Sequence, residues 1–196
     1  FDSFKPHVLT KLRGKDLSTK RQKALEKLEK FNIHSTLVVT LERGQNDDEI
    51  GKIIDFALEY RCLRGVTFQP TQVAGRTDNF DPLKNKFTLT ETRQGILDQT
   101  DIFKENDIIP VPCNPDALAM AYALKLDGKV VPLTSMIDPD IFLNGTRNTI
   151  LLEQEENLQK ELIKVFSTSQ TGGTLAKNLQ TLLCCLPMIS APNLSY

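Results

Sequence analysis

The sequence predicts an α/β fold of parallel βαβ units, forming a parallel sheet or partial barrel, on three observations. Two runs rich in β-branched residues, Ser35-Thr36-Leu37-Val38-Val39-Thr40-Leu41 and Gly65-Val66-Thr67-Phe68-Gln69-Pro70, have the length and composition of buried strands. The segment between them has helical periodicity, and an amphipathic helical pattern also precedes the first run. The intervening loops are short, and neighbouring parallel strands need a crossover that is usually helical and nearly always right-handed.

Taken in order, Phe1-Asp2-Ser3-Phe4 alternates apolar and polar residues like the end of a strand entering a loop, so the chain reads as starting inside a longer fold. Ser18 or Thr19 caps a helix whose Ala24, Leu25, Leu28 and Phe31 form one stripe, with Lys and Glu residues facing water. The strand at 35–41 closes at Arg43-Gly44-Gln45-Asn46. Asn46-Asp47-Asp48-Glu49 then opens a helix, its carboxylates suited to the positive end of the helix dipole, and Ile50, Ile53, Ile54, Ala57 and Leu58 share one face. The next strand ends at Pro70, which cannot donate to a ladder.

Thr90 and Glu91 begin a further helix running to about Gln99, weakened in its middle by Gly95. Asp127-Gly128 between apolar segments at 119–124 and 129–134 is a hairpin signal, against which an Ala- and Leu-rich helix over 116–125 competes. Leu151, Leu152, Leu158, Leu162, Ile163 and Phe166 mark another helix, and small polar residues at 168–173 read as a linker. Leu175, Leu179, Leu182 and Leu183 recur at helical spacing until Pro187 stops them.

With 24 Lys and Arg against 25 Asp and Glu, the chain has no basic field to attract nucleic acid or an anionic membrane surface. No uninterrupted apolar run reaches the roughly 20 residues that cross a bilayer, so membrane insertion is not expected and a soluble, cytoplasmic protein is. Cys62, Cys113, Cys184 and Cys185 have neither metal-ligand spacing nor the pattern of a disulfide framework, and are read as reduced thiols. His7 and His34 are isolated and read as structural, and neither a phosphate loop nor a nucleophile elbow is present.

In order along the chain stand Phe1-Asp2-Ser3-Phe4, Leu12-Arg13-Gly14-Lys15-Asp16-Leu17, Gly44-Gln45-Asn46-Asp47-Asp48-Glu49-Ile50, and Phe68-Gln69-Pro70 with Gly75-Arg76. Together they resemble the radical S-adenosylmethionine superfamily over roughly residues 1 to 135. The match is to the C-terminal half of a partial, TIM-like (β/α) barrel with parallel strands, followed here by a hairpin and helical extension. The domains that follow are 1–106 for the half-barrel, 107–150 for a hairpin or cap region, and 151–196 for C-terminal helices and tail.

The resemblance implies a parent enzyme that uses a [4Fe-4S] cluster and an electron donor to cleave S-adenosylmethionine reductively, giving a 5′-deoxyadenosyl radical that acts on an unidentified substrate. The Cys-x3-Cys-x2-Cys loop that holds such a cluster is absent from these residues, so no metal ligand is assigned and the isolated chain is expected to be inactive. The implied cofactor-binding residues are Asp2 and Ser3 toward a ribose hydroxyl, Thr40 toward the methionine or ribose end, and Phe68, Gln69 and Pro70 bordering the adenine. Arg76 is assigned to a carboxylate or phosphate. For each, an ordinary cap, strand or salt-bridge role is the alternative.

Cys113 is expected to position the hairpin over the barrel mouth, because Pro112 and Pro115 restrict the backbone around it, with plain packing the alternative; one thiolate cannot hold a cluster. An unpaired sheet edge implies a possible homo-oligomer. The competing reading of the whole chain is a cluster-free binding or scaffold domain that kept a half-barrel for interaction.

Overall fold

The computed structural model describes residues 1–72, 81, 84, 86–111, 114–126 and 129–140. Expectations for Arg76, Cys113, the Asp127-Gly128 turn and the helices beyond residue 150 lie outside the described residues. The chain divides into two compact units, Phe1–Asp101 and a second beginning at Ile102. No described helix is long and apolar enough to cross a membrane.

The first unit contains helices α1 (Pro6–Arg13), α2 (Ser18–Lys30), α3 (Ile50–Glu59) and α4 (Leu89–Gln99), with strands β1 (Ser35–Leu41) and β2 (Leu63–Pro70). β1 and β2 pair in parallel, Leu37 opposite Val66 and Val39 opposite Phe68, as the alternating pattern predicts. The register slips once near the start, where Ser35 faces Leu63 and Thr36 faces Gly65, so Arg64 is the extra residue of a bulge.

Because side chains alternate across a strand, this pairing sorts the sheet into two faces. Leu37, Val39, Leu41, Val66 and Phe68 pack with Ile50 and Ile53 of α3, Ile96 of α4 and Phe87. Thr36, Val38, Thr67 and Gln69 are exposed on the other face, with Thr40 half-buried beside them. That apolar concentration on one face is what holds α3 and α4 against the sheet.

α1 is an addition to the predicted elements. Its apolar Val8, Leu9 and Leu12 sit at helical spacing but span little more than one turn of an eight-residue helix, while Pro6 in the first turn and Gly14 at φ +77° just past the last are start and stop signals. Phe1–Phe4 forms no strand: the Phe1 nitrogen donates to the Val38 carbonyl at 2.6 Å, and Asp2 at φ +66° then turns the chain away. Asp47–Glu49 forms a 3-10 turn that leads into α3. α4 begins one residue after Thr88, whose hydroxyl and amide exchange hydrogen bonds with Glu91 in a capping box.

In the second unit, β3 (Ile109–Pro110) pairs with β4 (Ala119–Met120), and β5 (Ala123–Leu126) with β6 (Lys129–Pro132), both antiparallel. The helix competing for 116–125 does not form. Val130 and Val131 provide β-branched partners for Lys125 and Leu124, and these cross-strand pairs outweigh the local helix propensity of Ala and Leu. Asp107 is buried, accepting from the Lys104 amide at 2.6 Å and from the Thr134 hydroxyl.

Candidate functional site

The segments that follow Phe4, β1 and β2 meet at one end of the parallel pair. Lys5 Nζ reaches from the entry to α1 into the turn after β1, donating to Gln45 O at 3.0 Å and pairing with Asp48 at 2.6 Å. Thr71, just beyond β2, donates its amide and its hydroxyl to Leu41 O, each at 2.8 Å. This is the carboxyl end of the strands, where loops of parallel α/β sheets gather ligand-binding groups.

Asp2 is the hub of that end and is wholly buried. Its Oδ1 accepts from Arg13 Nη2 at 2.8 Å and from the Thr40 amide at 3.0 Å. Its Oδ2 accepts from Arg13 Nε at 2.8 Å and from Arg21 Nη2 at 2.7 Å. Four donors fill the usual capacity of a carboxylate. Burial pushes the Asp2 carboxyl up, but the hydrogen bonds from Arg13, the Thr40 amide and Arg21 outweigh it and hold the group well below the usual carboxylate range. Two guanidiniums on one carboxylate leave an excess positive charge at this corner.

Arg13 carries that excess toward solvent. Its side chain remains 42% exposed while Asp2 is sealed beneath it. Nη2 also donates to the Thr40 hydroxyl at 3.0 Å, which places the guanidinium at the edge of the uncovered sheet face. Among the described residues Nη1 has no partner, so Arg13 keeps donors for an anion. Thr40 faces Gln69 in the β1–β2 register, and Val38 faces Thr67, so Arg13, Thr40, Gln69 and Thr67 line one surface.

Asn46 anchors the turn beneath. Also wholly buried, it donates from Nδ2 to Asp2 O and to Thr40 O, both at 2.8 Å, and accepts at Oδ1 from the Glu42 amide at 2.9 Å. Ser3 points elsewhere: its hydroxyl donates to the buried carboxylate of Glu49 and accepts the Lys5 amide at 2.9 Å.

Of the residues singled out from sequence, the structure therefore brings Thr40 and Gln69 together on the open face and sets Asp2 behind Arg13. Phe68 joins the core on the helix side of the sheet, and Pro70 ends β2 opposite Leu41. Arg13, Arg21 and Asn46 are the groups that sequence reasoning left without roles. Arg13 and Asn46 stood within quoted motifs, whereas nothing along the chain distinguishes Arg21 from the other cations of α2.

S-adenosylmethionine carries a carboxylate, and the Arg13 corner is chemically suited to one. An iron–sulfur cluster does not fit the described residues, which contain no group of three His, Cys, Asp or Glu able to hold a metal. Cys62 is buried, and desolvation together with the neighbouring Glu29 carboxylate pushes its thiol up to about 11, opposite to what a thiolate ligand needs. Arg64 Nη2 donates to His34 Nε2 at 2.9 Å, because a guanidinium carries no acceptor.

No family model matches the chain. It is similar to the 7,8-dihydro-6-hydroxymethylpterin dimethyltransferase of Methanocaldococcus jannaschii, with 31% identity over 173 residues, 76% of the chain. The match covers 34% of that protein, so the chain spans about a third of the length of the curated relative it matches.

Proposed function

We propose that the chain is the cofactor- and substrate-facing part of a radical S-adenosylmethionine methyltransferase that acts on a reduced pterin or a related heterocycle. The observation that carries this reading is the similarity to the dimethyltransferase across 76% of the chain. The ordered motifs that resemble the radical S-adenosylmethionine superfamily support it, and so does the parallel pair with helices on one face and polar groups on the other. The relative's named activity is a methyl transfer, which directs the reading away from a simple oxidoreductase.

In this reading β1 and β2 are two strands of a partial barrel and their uncovered face looks inward. S-adenosylmethionine, when bound, supplies the methyl group or the radical. Arg13 holds its carboxylate through the uncommitted Nη1, with Asp2 and Arg21 fixing the guanidinium from behind. Gln69 offers both a donor and an acceptor, which suits the amide-like edge of a purine or pterin, and the Thr67 hydroxyl adds to that edge. The thiolates for a cluster come from residues other than those described, and the isolated chain is inactive.

The test is anaerobic incubation of the full-length protein with S-adenosylmethionine, a low-potential reductant and a reduced pterin. Mass spectrometry should show 5′-deoxyadenosine and a methylated pterin. Intact S-adenosylmethionine alongside an unchanged pterin would sink the reading.

A further inference from the structure

We infer that Asn46 is a positioning residue for Arg13, acting through Asp2; this rests on the reading that Arg13 receives a ligand carboxylate. The evidence begins with the backbone. Asp2 lies at φ +66°, a left-handed conformation that aspartate tolerates better than most residues and that hydrogen bonds to both its carboxylate and its carbonyl hold here. The turn sends the Asp2 carboxylate under Arg13 and its carbonyl in a different direction, onto Asn46 Nδ2.

The same amide donates to Thr40 O. Thr40 is the other residue that holds Arg13, its hydroxyl accepting from Nη2 and its backbone nitrogen donating to Asp2 Oδ1. One buried side chain thus references to each other the two backbone positions that set the guanidinium. Its Oδ1 ties both to the Glu42 amide, so the turn after β1 is part of the same unit. Without the Nδ2 donors two carbonyls lose their partners, Asp2 is free to relax toward negative φ, and its carboxylate swings away from Arg13. Arg13 would remain charged but no longer be aimed.

Binding to the full-length protein separates aiming from general support. The probes are S-adenosylhomocysteine, which has the carboxylate, and 5′-methylthioadenosine, which lacks it. Asn46→Ser should weaken S-adenosylhomocysteine about tenfold while leaving methylthioadenosine nearly unchanged. In an Arg13→Gln background the same change should have no further effect. Asn46→Asp keeps the volume and the acceptor for Glu42, loses the donors, and serves as the second variant should the serine protein fold poorly.

Equal weakening of both probes, or an undiminished effect in the Arg13→Gln background, would overturn the assignment. An Arg13→Gln protein that binds both probes like the wild type would instead overturn the role of Arg13, and the inference with it. Loss of carboxylate discrimination on Arg13→Gln but not on either Asn46 variant would leave Arg13 standing and remove Asn46.

Discussion

Arg13 grips Asp2 through two parallel hydrogen bonds, Nε to Oδ2 and Nη2 to Oδ1, both 2.8 Å, with the carboxylate sealed and the guanidinium 42% exposed. The pair is therefore asymmetric: the anion is committed to the fold and the cation is shared with the surface.

Asp2→Asn should cost about 3 kcal/mol at neutral pH, because two guanidiniums then face a neutral amide in a site built for an anion. The folded-state carboxyl is held below its ordinary value of 3.8, so its contribution is fully present above that value and is lost as pH falls through the lower folded-state value. Urea denaturation should show a constant gap between wild type and variant from neutrality to about pH 4, narrowing only in stronger acid. A variant as stable as the wild type at pH 7 would contradict the ion-pair account.

Gly51→Ala should destabilise the first unit by about 1–3 kcal/mol, even though alanine favours helix by about 1 kcal/mol over glycine. A Cβ at residue 51 would lie 2.1 Å from the Gln99 carbonyl oxygen, which is backbone and cannot rotate aside. The approach is held by Gln99, whose side chain accepts the Gly51 amide at 3.2 Å and donates to Asp47 O at 2.7 Å. Thermal melts showing an unchanged or raised midpoint would refute the contact.

The two faces of the β1–β2 pair should respond differently to truncation. Val39→Ala, in the core, should cost about 2 kcal/mol, whereas Thr67→Ala on the uncovered face should fall within about 0.5 kcal/mol. Comparable losses at both positions would mean that the open face is packed.

Cys62 should resist alkylation by iodoacetamide at pH 8 in the folded protein and react once denatured. Its thiol is buried and is pushed up to about 11 by desolvation and by Glu29, so almost none of it is the reactive thiolate. Peptide mapping by mass spectrometry reads Cys62 separately from the other cysteines. Rapid native labelling at this position would show that the α2–β2 junction is open.

The sequence by itself determined the α/β class, the bounds of β1 and the parallel pairing of β1 with β2. Each rests on a local pattern: β-branched runs, a helical stripe of Ile50, Ile53 and Ala57, and short loops on either side of that helix. It left α1 unseen, since Val8, Leu9 and Leu12 give a helical spacing over little more than one turn, and it left a helix competing with the β5 strand until cross-strand pairing decided. Only the tertiary structure decided how the site is arranged. Whether a given threonine or phenylalanine lines the open face or the core depends on the register between strands, which put Thr40 beside Gln69 and turned Phe68 inward. The convergence of Arg13, Arg21 and Asn46 on Asp2 joins residues as far as 44 positions apart, and no pattern within a single element records it. Periodicity reports which way a side chain faces relative to its own helix or strand; which charges meet is settled only when those elements pack.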